Sequence, residues 1–117
     1  MLKRIISGAF IAAAFLGTSA SSAGTMLASW YGPYFHGRTT ANGETYNMYG
    51  ITAAHKTLPF GTELRVCYQG CVDVRINDRG PYIGARELDL SYGAAKVIGL
   101  VEPGVATVSI IFIWKFA

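Results

Sequence analysis

Beyond residue 23, almost every apolar run in this chain is ended within a few residues by glycine, proline or an Asn-Asp pair. Long helices cannot form on such a pattern, but short strands joined by tight turns can. Composition points the same way. Glycine supplies 14 of 117 residues, Glu, Lys and Gln are scarce, and Tyr, Phe, Val, Ile and Thr are plentiful. With 51% hydrophobic and only 15% charged residues, the sequence is that of a folded chain. Its length has room for one domain.

The exception to the broken pattern comes first. Met1-Leu2-Lys3-Arg4 is a basic start, Ile5 to Leu16 is apolar, and Gly17 to Ala23 is a small-residue stretch with A-x-A-like cleavage options. This is the layout of a secretory signal peptide, with cleavage expected after Ala20 or Ala23, Ala23 being preferred. The apolar part is short for a membrane span, which needs about 20 residues. An uncleaved N-terminal anchor is the alternative. The division expected is therefore a signal peptide over 1–23 and one domain over 24–117, with a secreted or periplasmic location, no stable membrane insertion after cleavage, and a monomer. Without the leader the chain carries 8 basic and 7 acidic side chains, so the pI of 9.0 is partly the leader's. A net charge of +1 offers nothing to attract nucleic acid.

Two cysteines remain, Cys67 and Cys71. In an exported chain a disulfide is the default. Thr62 to Cys67 and Cys71 to Ile76 read as strands around a Tyr68-Gln69-Gly70 turn, so the bridge would close the mouth of a hairpin. The other expected elements are a strand over Met26 to Tyr31, a long glycine-rich loop over 32–50, a short buried strand over Ile51 to Ala54, and a turn at Leu58 to Gly61. Then come a turn at Asn77 to Pro81, a brief strand over Leu88 to Leu90, and a helix from Tyr92 to Ile98, capped by Ser91 and stopped at Gly99. A last strand runs from Val105 to Trp114. Its apolar end, Ile110 to Trp114, suggests a central position. Many short strands and one small helix imply a small barrel.

Five blocks carry a resemblance. They are Ala28-Ser29-Trp30-Tyr31-Gly32, then Gly37 to Glu44 (GRTTANGE), then Thr52 to Thr62 (TAAHKTLPFGT), then Arg75 to Tyr82 (RINDRGPY), and last Arg86 to Ser91 (RELDLS) followed by Ala94-Ala95. In this order and spacing the chain resembles the double-psi β-barrel domain of the rare lipoprotein A family, over roughly residues 26–116. That family includes septal lytic transglycosylases, and the domain is related to the first domain of expansins. The resemblance implies a mainly β fold: a single six-stranded double-psi β-barrel with one short helix and a groove across one side.

It also implies a chemistry. Asp78 matches the family's proposed acid–base carboxylate, His55 its histidine neighbour, and Glu44 the acidic residue of the Thr-Ala-Asn-Gly-Glu block. A lytic transglycosylase acts on peptidoglycan glycan strands. A carboxylic acid protonates the oxygen between N-acetylmuramic acid and N-acetylglucosamine, and its carboxylate then assists attack by the sugar's own C6 hydroxyl. A 1,6-anhydro end results and no water is consumed, unlike the usual two-carboxylate hydrolysis. Arg79, beside Asp78, is expected to point away from that carboxylate or towards substrate. Tyr34, Tyr46, Asn42, Arg38 and Arg79 are the candidate substrate contacts, because aromatic faces suit sugar rings and guanidinium groups suit carboxylates.

Each of these residues has a plainer role to weigh against the functional one. Asp78 can be a turn residue bonding backbone amides, His55 a half-buried strand-end histidine, and Glu44 a solvated loop acid. For Asp89, capping or a buried structural bond is the better expectation. Trp30 is expected to be mainly structural, and His36 exposed. Two histidines without a Cys/His cluster give no metal site, and the glycines form no phosphate loop, so no cofactor is expected. The sequence lacks the family's lipid-anchor cysteine and its C-terminal glycan-binding repeat, so neither outer-membrane tethering nor septal targeting is carried over. An alternative to the enzyme is a non-catalytic, expansin-like glycan-binding or wall-loosening module that uses the same groove.

Overall fold

The computed structural model describes residues 23–113. The signal-peptide reading of residues 1–22 and the expected end of the last strand at Trp114 lie outside the described residues. Six strands and one helix follow in chain order: β1 (Ala23–Tyr31), β2 (Thr52–His55), β3 (Glu63–Cys67), β4 (Cys71–Asp78), β5 (Leu88–Ser91), α1 (Tyr92–Ile98) and β6 (Ala106–Ile113). The strands close into a barrel in the order β1-β5-β2-β4-β3-β6. β1 and β5 pair in parallel, as do β2 and β4, and the other contacts are antiparallel. This is the mainly β, six-stranded double-psi β-barrel expected.

The β3–β4 hairpin shows how the sequence writes its own register. Leu64, Val66, Val74 and Ile76 point inward and are buried, while Arg65 and Asp73 face each other on the outside. Arg65 Nε and Nη2 donate to the two Asp73 carboxylate oxygens at 2.7 and 3.0 Å. Cys67 and Cys71 are register partners and are disulfide-bonded, with Cα atoms 4.1 Å apart. A one-residue slip would turn the apolar set outward and separate the two sulfurs, so both devices specify the same pairing.

Two expectations change. β4 does not stop at Ile76. It continues through Asn77 and Asp78, because the register shifts between Ala53 and Ala54 and so lets Ala54 partner Asp78. The apolar end of β6 is not buried on both faces. Val108 and Ile110 enter the core, whereas Ile111 remains 38% exposed. In a closed barrel every strand has two neighbours, so an apolar run there does not mark a special central strand.

Leu88 and Leu90 of β5, Ala28 of β1, Ala53 of β2 and Ala94, Ala95 and Ile98 of α1 complete the core with the hairpin residues. α1 is set as the sequence predicts. The Ser91 hydroxyl accepts from Ala94 N at 3.2 Å, and Gly99 ends the helix at φ 79°, with Leu100 N donating to Ala95 O. Ser91 does more than cap. Its hydroxyl also donates to Gly50 O at 2.7 Å, tying the 32–50 loop to the helix start.

Gly93 completes that junction. Its N–H donates to Met48 O at 2.7 Å, and a Cβ there would lie 2.7 Å from the carbonyl oxygens of both Tyr49 and Gly50. Those atoms belong to backbone and cannot swing aside. Gly93→Ala should therefore cost about 2 kcal/mol by overpacking and lower Tm by several degrees. A thermal melt of the variant checks this, and an unchanged Tm would contradict the close approach.

Candidate active site

The ends of β1, β2, β4 and β5 surround a hollow of about 240 Å³. Tyr31, Ala54, Asp78 and Asp89 line its strand side, and Phe35, Arg79, Gly80, Pro81, Tyr82 and Ile83 line the loop side. Topology puts the two aspartates there. Ala54 is the register partner of Asp78 on one side and of Asp89 on the other. Neighbouring strands lie about 4.8 Å apart, so the two aspartate Cα atoms sit about 10 Å apart with a small side chain between them.

Asp78 is half-buried and receives three hydrogen bonds. Oδ1 accepts from Ala41 N and from Arg79 N, both at 2.9 Å, and Oδ2 accepts from the Tyr31 hydroxyl at 3.4 Å. The Ala41 bond crosses from the 32–50 loop, which forms a small hairpin of its own. Thr40 N donates to Glu44 O, Tyr46 N to Arg38 O, and Thr39 faces Thr45.

Glu44 anchors that hairpin and does not reach the hollow. Its carboxylate accepts from Arg75 Nη1 at 2.7 Å and from Asn77 Nδ2 at 3.0 Å. The Arg75 bond, helped by that of Asn77, pulls its carboxyl down to about 2. Asn42 also turns into the loop, its side-chain oxygen accepting from Thr40 Oγ1 at 2.6 Å and Glu44 N at 3.1 Å. The arrangement holds Ala41 N–H against Asp78.

His55 follows Ala54, and its ring does not line the hollow. Its Nδ1 accepts from Thr57 N and Leu58 N, both at 3.1 Å, which shapes the turn after β2. Burial lowers its pKa, and Arg79 and Lys56 add to that against the pull of Glu87. Arg79 faces away from the Asp78 carboxylate, as expected. Nη1 donates to His55 O at 3.2 Å, and the guanidinium lies 4.0 Å from the Phe60 ring centroid, a cation–π contact. His55 and Arg79 thus bear on Asp78 through backbone position.

Among the expected substrate contacts, Tyr46 is corrected. It is 2% exposed, and its ring stacks on Tyr31 at 4.4 Å while its hydroxyl donates to Tyr31 O at 2.6 Å. Burial pushes its phenol up to about 12. It backs Tyr31 and presents nothing to a sugar. Tyr34 and Arg38 are exposed on the loop, with the Arg38 guanidinium 5.7 Å from the Phe35 ring. Trp30 packs against the core and edge-on to Tyr92, and His36 is exposed, both as expected.

Two residues of the hollow carry more than the sequence suggested. The Tyr31 phenol is held well above its ordinary pKa, first by burial and then by the Asp78 charge, so it stays a neutral donor. Asp89 does not cap α1, since Ser91 does. Its Oδ1 accepts from Ser29 Oγ at 3.0 Å. Burial pushes the Asp89 carboxyl up to about 6; the Ser29 bond and Arg86 oppose this, and the Asp78 charge adds to it. The signal for Asp89 was its alternation in Leu88-Asp89-Leu90, which puts it on the face opposite two core leucines. Only the barrel closure reveals what that face looks onto.

Residues 23–110 match the family model described as lytic transglycolase. The chain is 55% identical over 86 residues to the endolytic peptidoglycan transglycosylase RlpA of Pseudomonas aeruginosa, covering 71% of this chain and 25% of that one. It is 54% identical over 85 residues to the RlpA of Campylobacter jejuni, covering 70% of this chain and 31% of that one. It therefore spans about a quarter to a third of the length of these curated relatives. Among solved structures, an expansin of Clavibacter michiganensis superposes with a TM-score of 0.66 at 21% identity, covering 82% of this chain and 52% of that one. A Streptomyces papain inhibitor superposes with a TM-score of 0.64 at 20% identity, covering 80% and 96%. These two likenesses are of fold alone. A family match over residues 23–110, with relatives more than half identical over some 86 residues, means that the chain belongs to the lytic transglycolase family.

Proposed function

We propose that this chain is an exported endolytic transglycosylase that cleaves the β-1,4 bond between N-acetylmuramic acid and N-acetylglucosamine in peptidoglycan strands and leaves 1,6-anhydromuramyl ends. The observation that carries the reading is Asp78 in a sugar-sized hollow, its carboxylate fixed by Ala41 N–H, Arg79 N–H and the Tyr31 hydroxyl. Preset donors remove the cost of orienting the carboxyl during the reaction. The names of the close relatives support the same activity. Export follows from the basic, apolar and small-residue layout of residues 1–23.

The reaction needs a proton delivered to the leaving O4 and another taken from the C6 hydroxyl as O6 bonds to C1. Asp78 is the carboxyl proposed for this exchange. Arg79, Tyr34 and Arg38 are proposed to meet the glycan or its carboxylates. Glu44, Asn42 and His55 serve it as positioning residues, holding the loop and turn on either side of Asp78.

A second reading has its own observation. Phe35 and Tyr82 line the hollow and are 45% and 72% exposed, Tyr34 is 86% exposed on the same loop as Phe35, and exposed aromatic rings suit sugar faces. The solved complex of the Clavibacter expansin with cellohexaose has the same fold, with a TM-score of 0.66. A non-catalytic glycan-binding module is the reading this supports.

Digestion of purified peptidoglycan followed by mass spectrometry separates the two. The wild type should release 1,6-anhydromuramyl ends, and Asp78→Asn should lower their yield by about 100-fold or more while still binding sacculi. Binding without anhydro ends would favour the second reading. Glu44→Ala tests the positioning role. The Glu44–Arg75 pair is partly exposed and worth at most about 1 kcal/mol, and the buried Asn77 amide loses its partner with it, so Tm should fall by a few degrees while the fold is kept. Exchange of the Ala41 amide proton should quicken, and turnover should fall about tenfold. Unaltered exchange at Ala41 would contradict that role.

A further inference from the structure

Asp89 lines the same hollow as Asp78 and reaches it from the other side of Ala54. Both aspartates are half-buried, so both meet the groove. Their hydrogen bonding differs. Asp78 accepts at both oxygens. Asp89 accepts at Oδ1 from Ser29 Oγ, and no hydrogen bond holds its second oxygen among the described residues. That oxygen is free to carry a proton and hand it on, whereas Asp78 is set up to receive one.

We propose that Asp89 is a second catalytic carboxyl of this groove, the one that delivers the proton to the glycosidic oxygen, with Asp78 acting as the base. The proposal rests on the transglycosylase reading above and divides its two proton transfers between two groups. As C1–O4 breaks, the Asp89 proton passes to O4 of the leaving N-acetylglucosamine. As O6 bonds to C1, the C6 hydroxyl proton passes to Asp78. The strand ends as an anhydro sugar and a free 4-hydroxyl, with no water consumed. Asp89 is left as carboxylate and Asp78 as acid, and the open groove lets solvent return the proton to Asp89 before the next turnover.

The surroundings fit a proton held at Asp89. The titratable or charged groups that interact with it are Asp78 on β4, Arg86 ahead of β5, Tyr31 on β1 and Tyr46 behind Tyr31. Burial favours the neutral acid, and the Asp78 charge favours it further. The Ser29 bond and Arg86 oppose this, leaving the group near 6.

Initial rates of anhydro-end formation between pH 4 and 9 test the proposal. Wild-type turnover should fall above about pH 6, close to tenfold per pH unit, as Asp89 loses its proton. Asp89→Asn should lower turnover by about 100-fold or more and abolish that alkaline limb, while sacculus binding and Tm are kept. If Asp89→Asn does not fold, Ser29→Ala decides the question. Removing a bond that favours the charged form raises the acid's pKa, so the alkaline limb should move to higher pH. Asp89→Asn with wild-type turnover, or an alkaline limb that Ser29→Ala leaves in place, would overturn this proposal alone. A wild type that forms no anhydro ends would overturn the transglycosylase reading first, and this division with it.

Discussion

The site depends on the two-sided pairing of Ala54. β2 is only four residues long, yet it pairs in parallel with β4 and antiparallel with β5. The register shift at Ala53/Ala54 extends β4 far enough for Asp78 to be a strand residue, and the β5 register puts Asp89 opposite the same alanine. A larger side chain at Ala54 would fill the space between the carboxyls. Strand pairing thus sets the geometry of the two acids before any side-chain contact contributes.

Around this frame the loops supply orientation. The Glu44–Arg75–Asn77 cluster seats the 39–45 hairpin so that its Ala41 amide meets Asp78. On the other side, Tyr46 stacks behind Tyr31 and bonds its carbonyl, which fixes the phenol that reaches Asp78. The Ser91 hydroxyl and the bare Cα of Gly93 lock the same loop to the start of α1. The long loop is therefore held at three separate places, which is why a segment with so little regular structure can carry a precise group.

Much of this architecture was legible in the residues. The 62–76 hairpin announced itself by alternation, turn chemistry and paired cysteines, and α1 by Ser91 and Gly99, because those signals are local. Asp78 was singled out through the resemblance carried by the Arg75-Ile76-Asn77-Asp78-Arg79-Gly80-Pro81 block, and it lines the hollow. Tyr46 was misread, and for Asp89 the expected buried bond is present, to Ser29 Oγ, while its place in the hollow went unseen; the reason is the same, that their surroundings come from residues far away in the chain. Tyr46 lies in a polar loop and looks exposed until Tyr31 covers it. Asp89 lies two residues before a helix cap, and only a parallel pairing with β1 and an antiparallel one with β2 turn it into the groove. Non-local pairings of this kind leave no short-range periodicity to read.

The account turns on an Asp89 carboxyl that keeps its proton to higher pH than an ordinary aspartate and shares its hollow with Asp78. Carbon-13 NMR of the side-chain carboxyl carbons, followed through a pH titration of the folded protein, measures this directly. The account predicts an Asp89 midpoint near 6 that falls when Arg or Lys replaces Ala54 and puts a positive charge between the two acids. An Asp89 midpoint in the ordinary aspartate range near 4 would contradict it.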